Sequence, residues 1–204
     1  LTSNCRLHAQ EVDDPFETFN RGVFWFNDKL DVYLLEPVAR GYDWVMPEGA
    51  QRSVGNFFDN LRSPAYVVSD VVQLKFDQVG THLGRFLINT TLGLGGLFDV
   101  AREMGLEPHD EDFGIALAYH GVPPGPILGP STLRDGFGRV VDAFLDPVFY
   151  LGATDMDSST AFAVQTGLKT LQVVDTRAGL LEAIKAARES SVDYYLFVQG
   201  AYMQ

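Results

Sequence analysis

Residues 51–61 read QRSVGNFFDNL and place Val54, Phe57, Phe58 and Leu61 at i, i+3, i+4 and i+7. At about 100° per residue, these four share one narrow stripe of an α-helix. Arg52, Ser53, Asn56, Asp59 and Asn60 fill the rest of the circumference. A helix of this pattern has two possible settings. It can cover a soluble core, or it can lie with one face dipped into an apolar medium. The same period runs on through the chain. Phe16, Phe19, Val23, Phe26, Leu30 and Leu34 form one helical face, and Val67, Val68, Val71, Val72 and Leu74 another. Val79, Leu83, Phe86 and Leu87 continue it. Few segments alternate with period two, so the expected fold is mainly α-helical.

Local signals set the expected boundaries. Residues 1–13 read as a flexible leader and residues 14–204 as a single domain. Asp14-Pro15-Phe16-Glu17 starts a helix: Asp14 can cap it, Pro15 suits its first turn and Glu17 can bond back. Pro37 and Gly41 predict a break or kink after Glu36, and Pro47-Glu48-Gly49 predicts a turn. Ser63-Pro64 predicts the end of one helix and the start of the next. The stretch Leu92 to Phe98, LGLGGLF, reads as a close-packed connection or short helix. Leu106 to Pro130, dense in Pro and Gly, reads as a long loop. Ser131 to Phe149 and two further segments, near 161–174 and 177–189, read as helices. A last amphipathic stretch follows Ser191.

Charge narrows the function. Fifteen basic against 27 acidic residues give a net charge of −12. Nucleic-acid binding needs clustered cations and is excluded. Docking by charge onto anionic headgroups is disfavoured too, so any membrane contact has to be hydrophobic. No stretch approaches the ~18 apolar residues of a transmembrane helix. Trp25 falls among Arg21, Asp28 and Lys29 on the polar side of its helix. That position suits an interfacial anchor, a partner contact or packing under a later loop. The one cysteine, Cys5 in LTSNC, excludes an internal disulfide. It can serve as a lipoprotein anchor, although Thr2 and Asn4 occupy the positions where Leu and a small residue are usual. The other reading is a chance cysteine in a flexible start.

Catalytic and metal chemistry find no residue set. His8, His82, His109 and His120 are scattered. Residues 107–112, EPHDED, carry metal-capable side chains without a zinc or calcium spacing, and read as a solvated acidic loop. Ser131, Ser158 and Ser159 lie in no nucleophile elbow. The expectation is no enzyme, no metal and no cofactor.

Several long segments, in order, resemble one known family: DPFETFNRGVFWFNDKLD (14–31), EPVARGYDWVMPEGAQRSVGNFFDNLRSPAYVVSDVVQLKF (36–76), GRFLINTTLGLGGLFDVA (84–101), HDEDFGIALAYHGVPPGP (109–126), LGPSTLRDGFG (128–138) and SSVDYYLFVQGAYMQ (190–204). Together they resemble the MlaA (VacJ) lipoproteins of Gram-negative bacteria over nearly everything from Asp14 onward. The resemblance implies an all-α ring whose amphipathic helices lie in the membrane plane around a central channel. It implies a protein on the periplasmic leaflet of the outer membrane, tethered through Cys5 and bound to a trimeric porin. Its ligand would be phospholipid misplaced in the outer leaflet, handed to the periplasmic carrier MlaC. It makes Val54, Phe57, Phe58 and Leu61 membrane-facing and places Gly121 and Gly125 in a loop beside the channel. Trp25 joins the membrane-facing set. Small and polar side chains suit a headgroup path, which nominates Thr90, Thr91, Gly93, Gly95 and Gly96 as channel residues. The alternatives are a periplasmic porin-binding scaffold with no lipid path of its own and a hydrolase using Ser131 or His109.

Overall fold

In the computed structural model, the structure describes residues 16–109, 113–121, 127–128, 131–153 and 157–202. Ten α-helices lie among these: α1 (Glu17–Leu30), α2 (Glu36–Val45), α3 (Glu48–Val72), α4 (Phe76–Thr91), α5 (Val100–Glu103), α6 (Phe113–Tyr119), α7 (Leu133–Leu145), α8 (Ser158–Gly179), α9 (Leu181–Ser190) and α10 (Tyr194–Tyr202). A two-residue antiparallel pair, β1 (Ile127–Leu128) with β2 (Ser131–Thr132), precedes α7. The fold is all-α, as the apolar period required.

Both expected proline breaks are absent, for different reasons. Between α1 and α2, residues Asp31–Leu35 form one π-helical turn. The Glu36 N–H reaches back five residues to the Asp31 carbonyl. This widened turn comes just before Pro37, which has no N–H to give, so the helical path continues through it. Pro64 lies inside α3, which runs unbroken for 25 residues. An internal proline costs about 3 kcal/mol, and the packing of α3 offsets it. That helix is the hub of the molecule, set against α4 on one side and against α6, α7 and α8 on the others. The expected long loop of residues 106–130 is also corrected, because it contains α6. Phe113 heads that helix with its N–H held by the Asp142 carboxylate of α7 at 3.3 Å. The Asp14 cap, Pro15 and Cys5 lie outside the described residues.

Several helix starts are chemically explicit. The Thr132 hydroxyl accepts from the Asp135 N–H and caps α7. Asp157 accepts from the N–H groups of Ser159 and Thr160 and caps α8. Charge links the first helices to the last. Arg177 of α8 grips Asp31 with two hydrogen bonds, at 2.6 and 2.9 Å. Arg188 of α9 reaches Asp28 at 2.8 Å, Asp31 at 2.9 Å and Glu36 at 3.3 Å. Arg21 of α1 reaches Asp193 at 2.9 Å.

The distribution of polarity is inverted. The apolar core is small: Ala39, Phe58, Ala65, Ala101, Ala116, Val148, Ala161, Val174, Ala178 and Tyr195. The largest fully buried side chains are Gln73, Asn20, Thr132, Asp70 and Ser69, all of them polar. Large apolar side chains lie outside instead. Trp44 is 86% exposed, Tyr33 76% and Phe162 70%. On α1, the apolar face seen in the sequence is the uncovered one: Phe16, Phe19, Phe26, Leu30 and Leu34 are exposed, and Asn20 is buried. A water-soluble monomer rarely leaves so many large apolar side chains bare. No helix among the described residues is long and apolar enough to cross a membrane.

Candidate functional site

Two helices show the inversion residue by residue. On α7, Phe137, Val140 and Phe144 follow i, i+3, i+7 and are exposed. Two residues out of phase, Arg139, Asp142 and the C-cap residue Asp146 follow the same spacing and face a cavity. On α4, Leu83 and Leu87 are exposed. His82, Arg85 and Asn89, again at i, i+3, i+7, face a second and smaller cavity. Each helix thus turns its polar stripe inward and its apolar stripe outward, the reverse of a soluble amphipathic helix.

The large cavity measures about 880 Å³ and lies between α3, α6, α7 and α8. From α3 come Gly55, Asp59, Arg62 and Tyr66, one stripe at i, i+4, i+7 and i+11. From α8 come Lys169, Gln172, Asp175 and Thr176. Phe58, Ala65, Ile115 and Ala143 supply apolar wall between them, so the lining is amphipathic. Much of the polar lining is held by neighbours. Lys169 is paired with Asp146, whose other oxygen accepts from the Val148 N–H at 2.9 Å. Tyr42 of α2 donates its hydroxyl to Asp175 at 2.7 Å. Burial first, then the Asp175 carboxylate, pushes the Tyr42 phenol well above its ordinary range. With its amide oriented so that the oxygen faces Arg62, Gln172 accepts from that guanidinium at 2.9 and 3.2 Å.

The small cavity, about 130 Å³, lies beside α3 and α4. The His82 ring is held between the Asp70 carboxylate at 2.5 Å and the His109 carbonyl at 3.0 Å. Asn89 donates to Asp99 at 2.9 Å and accepts from the Ala101 N–H at 2.9 Å. Arg85 binds Asp99 at 2.9 Å and the Leu106 carbonyl. Burial raises the Asp99 carboxyl, but the hydrogen bonds from Asn89 and Arg85 outweigh it and leave the group below the usual carboxylate range. This network braces α4 and α5.

The residues nominated from the sequence are distributed differently. Trp25 is 62% exposed, on the outer surface. Val54, Phe57 and Leu61 are half-buried. Phe58 needs correcting as a membrane-facing residue: it is 5% exposed. With Leu61, it borders a narrow gap shared with Val148 and Leu168. The stripe is real, but α8 and the 3₁₀ segment Pro147–Ala153 cover its centre. None of Thr90, Thr91, Gly93, Gly95 or Gly96 lines the large cavity. Thr90 accepts from the Asn60 amide at 2.9 Å, and Thr91 donates back to Leu87 at 2.6 Å. Gly93 and Gly96 are small because neighbours crowd them. A Cβ at Gly93 would sit 2.2 Å from the Phe98 carbonyl, and one at Gly96 2.4 Å from the Asn60 Cβ. This is the close-packed connection that the LGLGGLF stretch implied. Gly121 is exposed with φ +76°, and Gly125 lies outside the described residues. The cavity-lining charges were not singled out from the sequence. Their i, i+3, i+7 recurrence, out of phase with an apolar stripe on the same helix, was the available signal.

A profile described as "MlaA lipoprotein" matches residues 12–204 of this chain. The chain belongs to the MlaA lipoprotein family. It is 36% identical over 206 residues to the Escherichia coli K12 protein named "Intermembrane phospholipid transport system lipoprotein MlaA". That alignment covers 96% of this chain and 77% of the relative. The Haemophilus influenzae MlaA of the same name is 29% identical over 209 residues, covering 98% of this chain and 80% of the relative. A Rickettsia felis protein without an assigned role is 36% identical over 197 residues, covering 94% and 75%. A solved chain described under "Structural basis for maintenance of bacterial outer membrane lipid asymmetry" superposes with a TM-score of 0.75 at 35% identity. It covers 95% of this chain and 96% of its own length. Both stripes of the MlaA-family helix α7 lie inside the matched region.

Proposed function

We propose that this MlaA-family chain is an intermembrane phospholipid transporter of the outer membrane. It takes phospholipids misplaced in the outer leaflet, passes them through the large cavity and releases them to the periplasmic carrier MlaC. It sits in the periplasmic leaflet beside a trimeric porin, with Cys5 as its lipid anchor, and so maintains lipid asymmetry. The observation that carries this reading is the double stripe of α7, with Phe137, Val140 and Phe144 outward and Arg139, Asp142 and Asp146 inward. Hydrocarbon outside satisfies the first set, since burying a Phe or Leu side chain is worth ~1.5–3 kcal/mol. The amphipathic lining satisfies a headgroup while its acyl chains follow apolar wall. Conduction of this kind needs no nucleophile and no metal, so direction comes from tighter binding downstream. The names of the Escherichia coli and Haemophilus influenzae relatives support the same role.

A phospholipid carrying a photoactivatable group beside its phosphate tests this. In membranes holding the full-length protein and its porin, adducts are expected on cavity-wall peptides of α3, α7 and α8. A protein that binds porin but takes adducts only on its outer surface would be a scaffold, and the transport reading would be wrong.

A further inference from the structure

The large cavity contains unequal charge pairing. Three cations and four carboxylates line it. The Lys169 ammonium is taken up by Asp146. Arg62 is held chiefly by the neutral oxygen of Gln172, with the exposed Asp59 carboxylate no nearer than 3.8 Å. Arg139 is exposed on the cavity wall, and no hydrogen bond or ion pair links it to another described residue. Arg139 therefore offers an unspent, fork-shaped donor pair, and Arg62 a guanidinium whose fork rests on a neutral oxygen that a phosphate can displace, in a chain of net charge −12. Planar donor pairs of this kind match phosphate oxygens two at a time, which a lysine cannot do.

A negative counterpart lies close by. Asp175 is held at 2.7 Å by the Tyr42 hydroxyl, a neutral donor that leaves its charge in place. Its position on α8 is one turn beyond Gln172, the partner of Arg62. A rise of 1.5 Å per residue puts the two α8 positions ~4.5 Å apart along the axis. An aminoethyl phosphate, with its phosphate and ammonium at opposite ends of two carbons, spans about such a gap.

We propose that Arg62 and Arg139 are the phosphate-recognising residues of the cavity and that Asp175 receives the ammonium of the same headgroup, so that zwitterionic phospholipids are the preferred cargo. This rests on the phospholipid-transport reading above.

The test uses the full-length protein reconstituted in vesicles, with removal of three labelled lipids of identical acyl chains: phosphatidylethanolamine, phosphatidylglycerol and diacylglycerol. The wild type is expected to move them in that order. Arg139→Gln should lower the ratio of phosphatidylethanolamine to diacylglycerol movement ~10-fold, the scale of one charge-assisted hydrogen bond. Arg139→Lys should restore part of it. Asp175→Asn should bring the ratio of phosphatidylethanolamine to phosphatidylglycerol to one. Ratios unmoved by these substitutions while diacylglycerol movement stays at the wild-type rate would overturn the proposal. A variant that merely misfolds lowers all three rates together and leaves its ratios at the wild-type values. Repeating the ratios with Arg62→Gln, which leaves Arg139 in place, keeps the question decidable, and an unmoved ratio there counts against the pair. Titration with inorganic phosphate and with dihexanoylphosphatidylethanolamine separates the two sources of phosphate. Tighter binding of the short-chain lipid, weakened ~10-fold by Arg139→Gln, supports a headgroup site. Equal binding of inorganic phosphate would make it a free-anion site and overturn the assignment. A wild-type protein that moves all three lipids alike contradicts only the headgroup assignment. One that moves no lipid contradicts the transport reading itself.

Discussion

Gly96 has φ +96° and its α-carbon faces Asn60, leaving no room for a methyl group. Gly95, next to it, has φ +74° but open space around it. Gly96→Ala should therefore lose both backbone freedom and the close approach of the 92–98 connection to α3, costing about 2–4 kcal/mol. Gly95→Ala should cost only the strain, about 1 kcal/mol. Chemical denaturation of the two variants checks the difference. A second contrast separates buried from bare apolar residues. Phe58→Ala empties a packed site and should cost about 3–5 kcal/mol. Leu83→Ser with Leu87→Ser, on exposed positions of α4, should change stability by less than about 1 kcal/mol. That pair should weaken partition into vesicles, measured by flotation. At this scale the sequence was partly legible. The apolar stripe of residues 54–61 is evident from spacing, but spacing alone does not say what covers it. Phe58 and Trp25 have similar claims as letters. One is buried by α8 and the other bare, because burial depends on neighbours distant in sequence.

The helices were legible wherever an apolar stripe was long, and the errors fell at punctuation. Proline predicted interruptions at residues 37 and 64; a π-helical turn accommodates the first and the packing of α3 the second. The region 106–130 looked structureless because Gly and Pro dominate it, yet α6 forms inside it, packed on α3 and α7. No local signal announced the link between the first helices and the last, since Arg177 and Asp31 lie 146 residues apart. Arg177 is only 8% exposed. Arg177→Met should leave Asp31 with Arg188 as its remaining cation and destabilise the fold by about 1.5–3 kcal/mol. Replacing both partners with apolar residues should cost less than the sum of the single changes, a double-mutant cycle read by thermal unfolding. The pH dependence has a definite sign. Burial pushes the Asp31 carboxyl up, but Arg177 and Arg188 outweigh it and leave the group below its ordinary range. Glu36 is likewise lowered, chiefly by its hydrogen bond from Arg40. A depressed carboxylate stabilises the fold above its unfolded pKa, and that contribution is lost as pH falls through the folded value. Stability from these groups should hold from neutrality down to about pH 4 and decline below it. Asp31→Asn should flatten that acid limb in denaturation series across pH 2–7.

The whole molecule is organised by solvent rather than by an oily centre. Among the described residues, the largest fully buried side chains are Asn, Asp, Gln, Ser and Thr, while many Phe and Leu side chains and both Trp side chains are exposed. The proposed function accounts for such an arrangement, with hydrocarbon covering much of the exterior and water reaching the inside. The acidic composition fits it, because hydrophobic contact replaces charge as the means of holding a membrane. The fold class and the family resemblance could be read from the sequence. The cavity could not be read as such, since its wall is assembled from three long helices and α6, each contributing a few side chains. The chain's two tryptophans report directly on the outer surface, because Trp25 and Trp44 are both largely exposed. With the protein bound to vesicles made from phospholipids brominated on their acyl chains, the account predicts that most tryptophan emission is quenched and that aqueous iodide has little effect. Emission untouched by the brominated chains but readily quenched by iodide would mean that these side chains face water, contradicting the claim that the apolar exterior lies in the membrane.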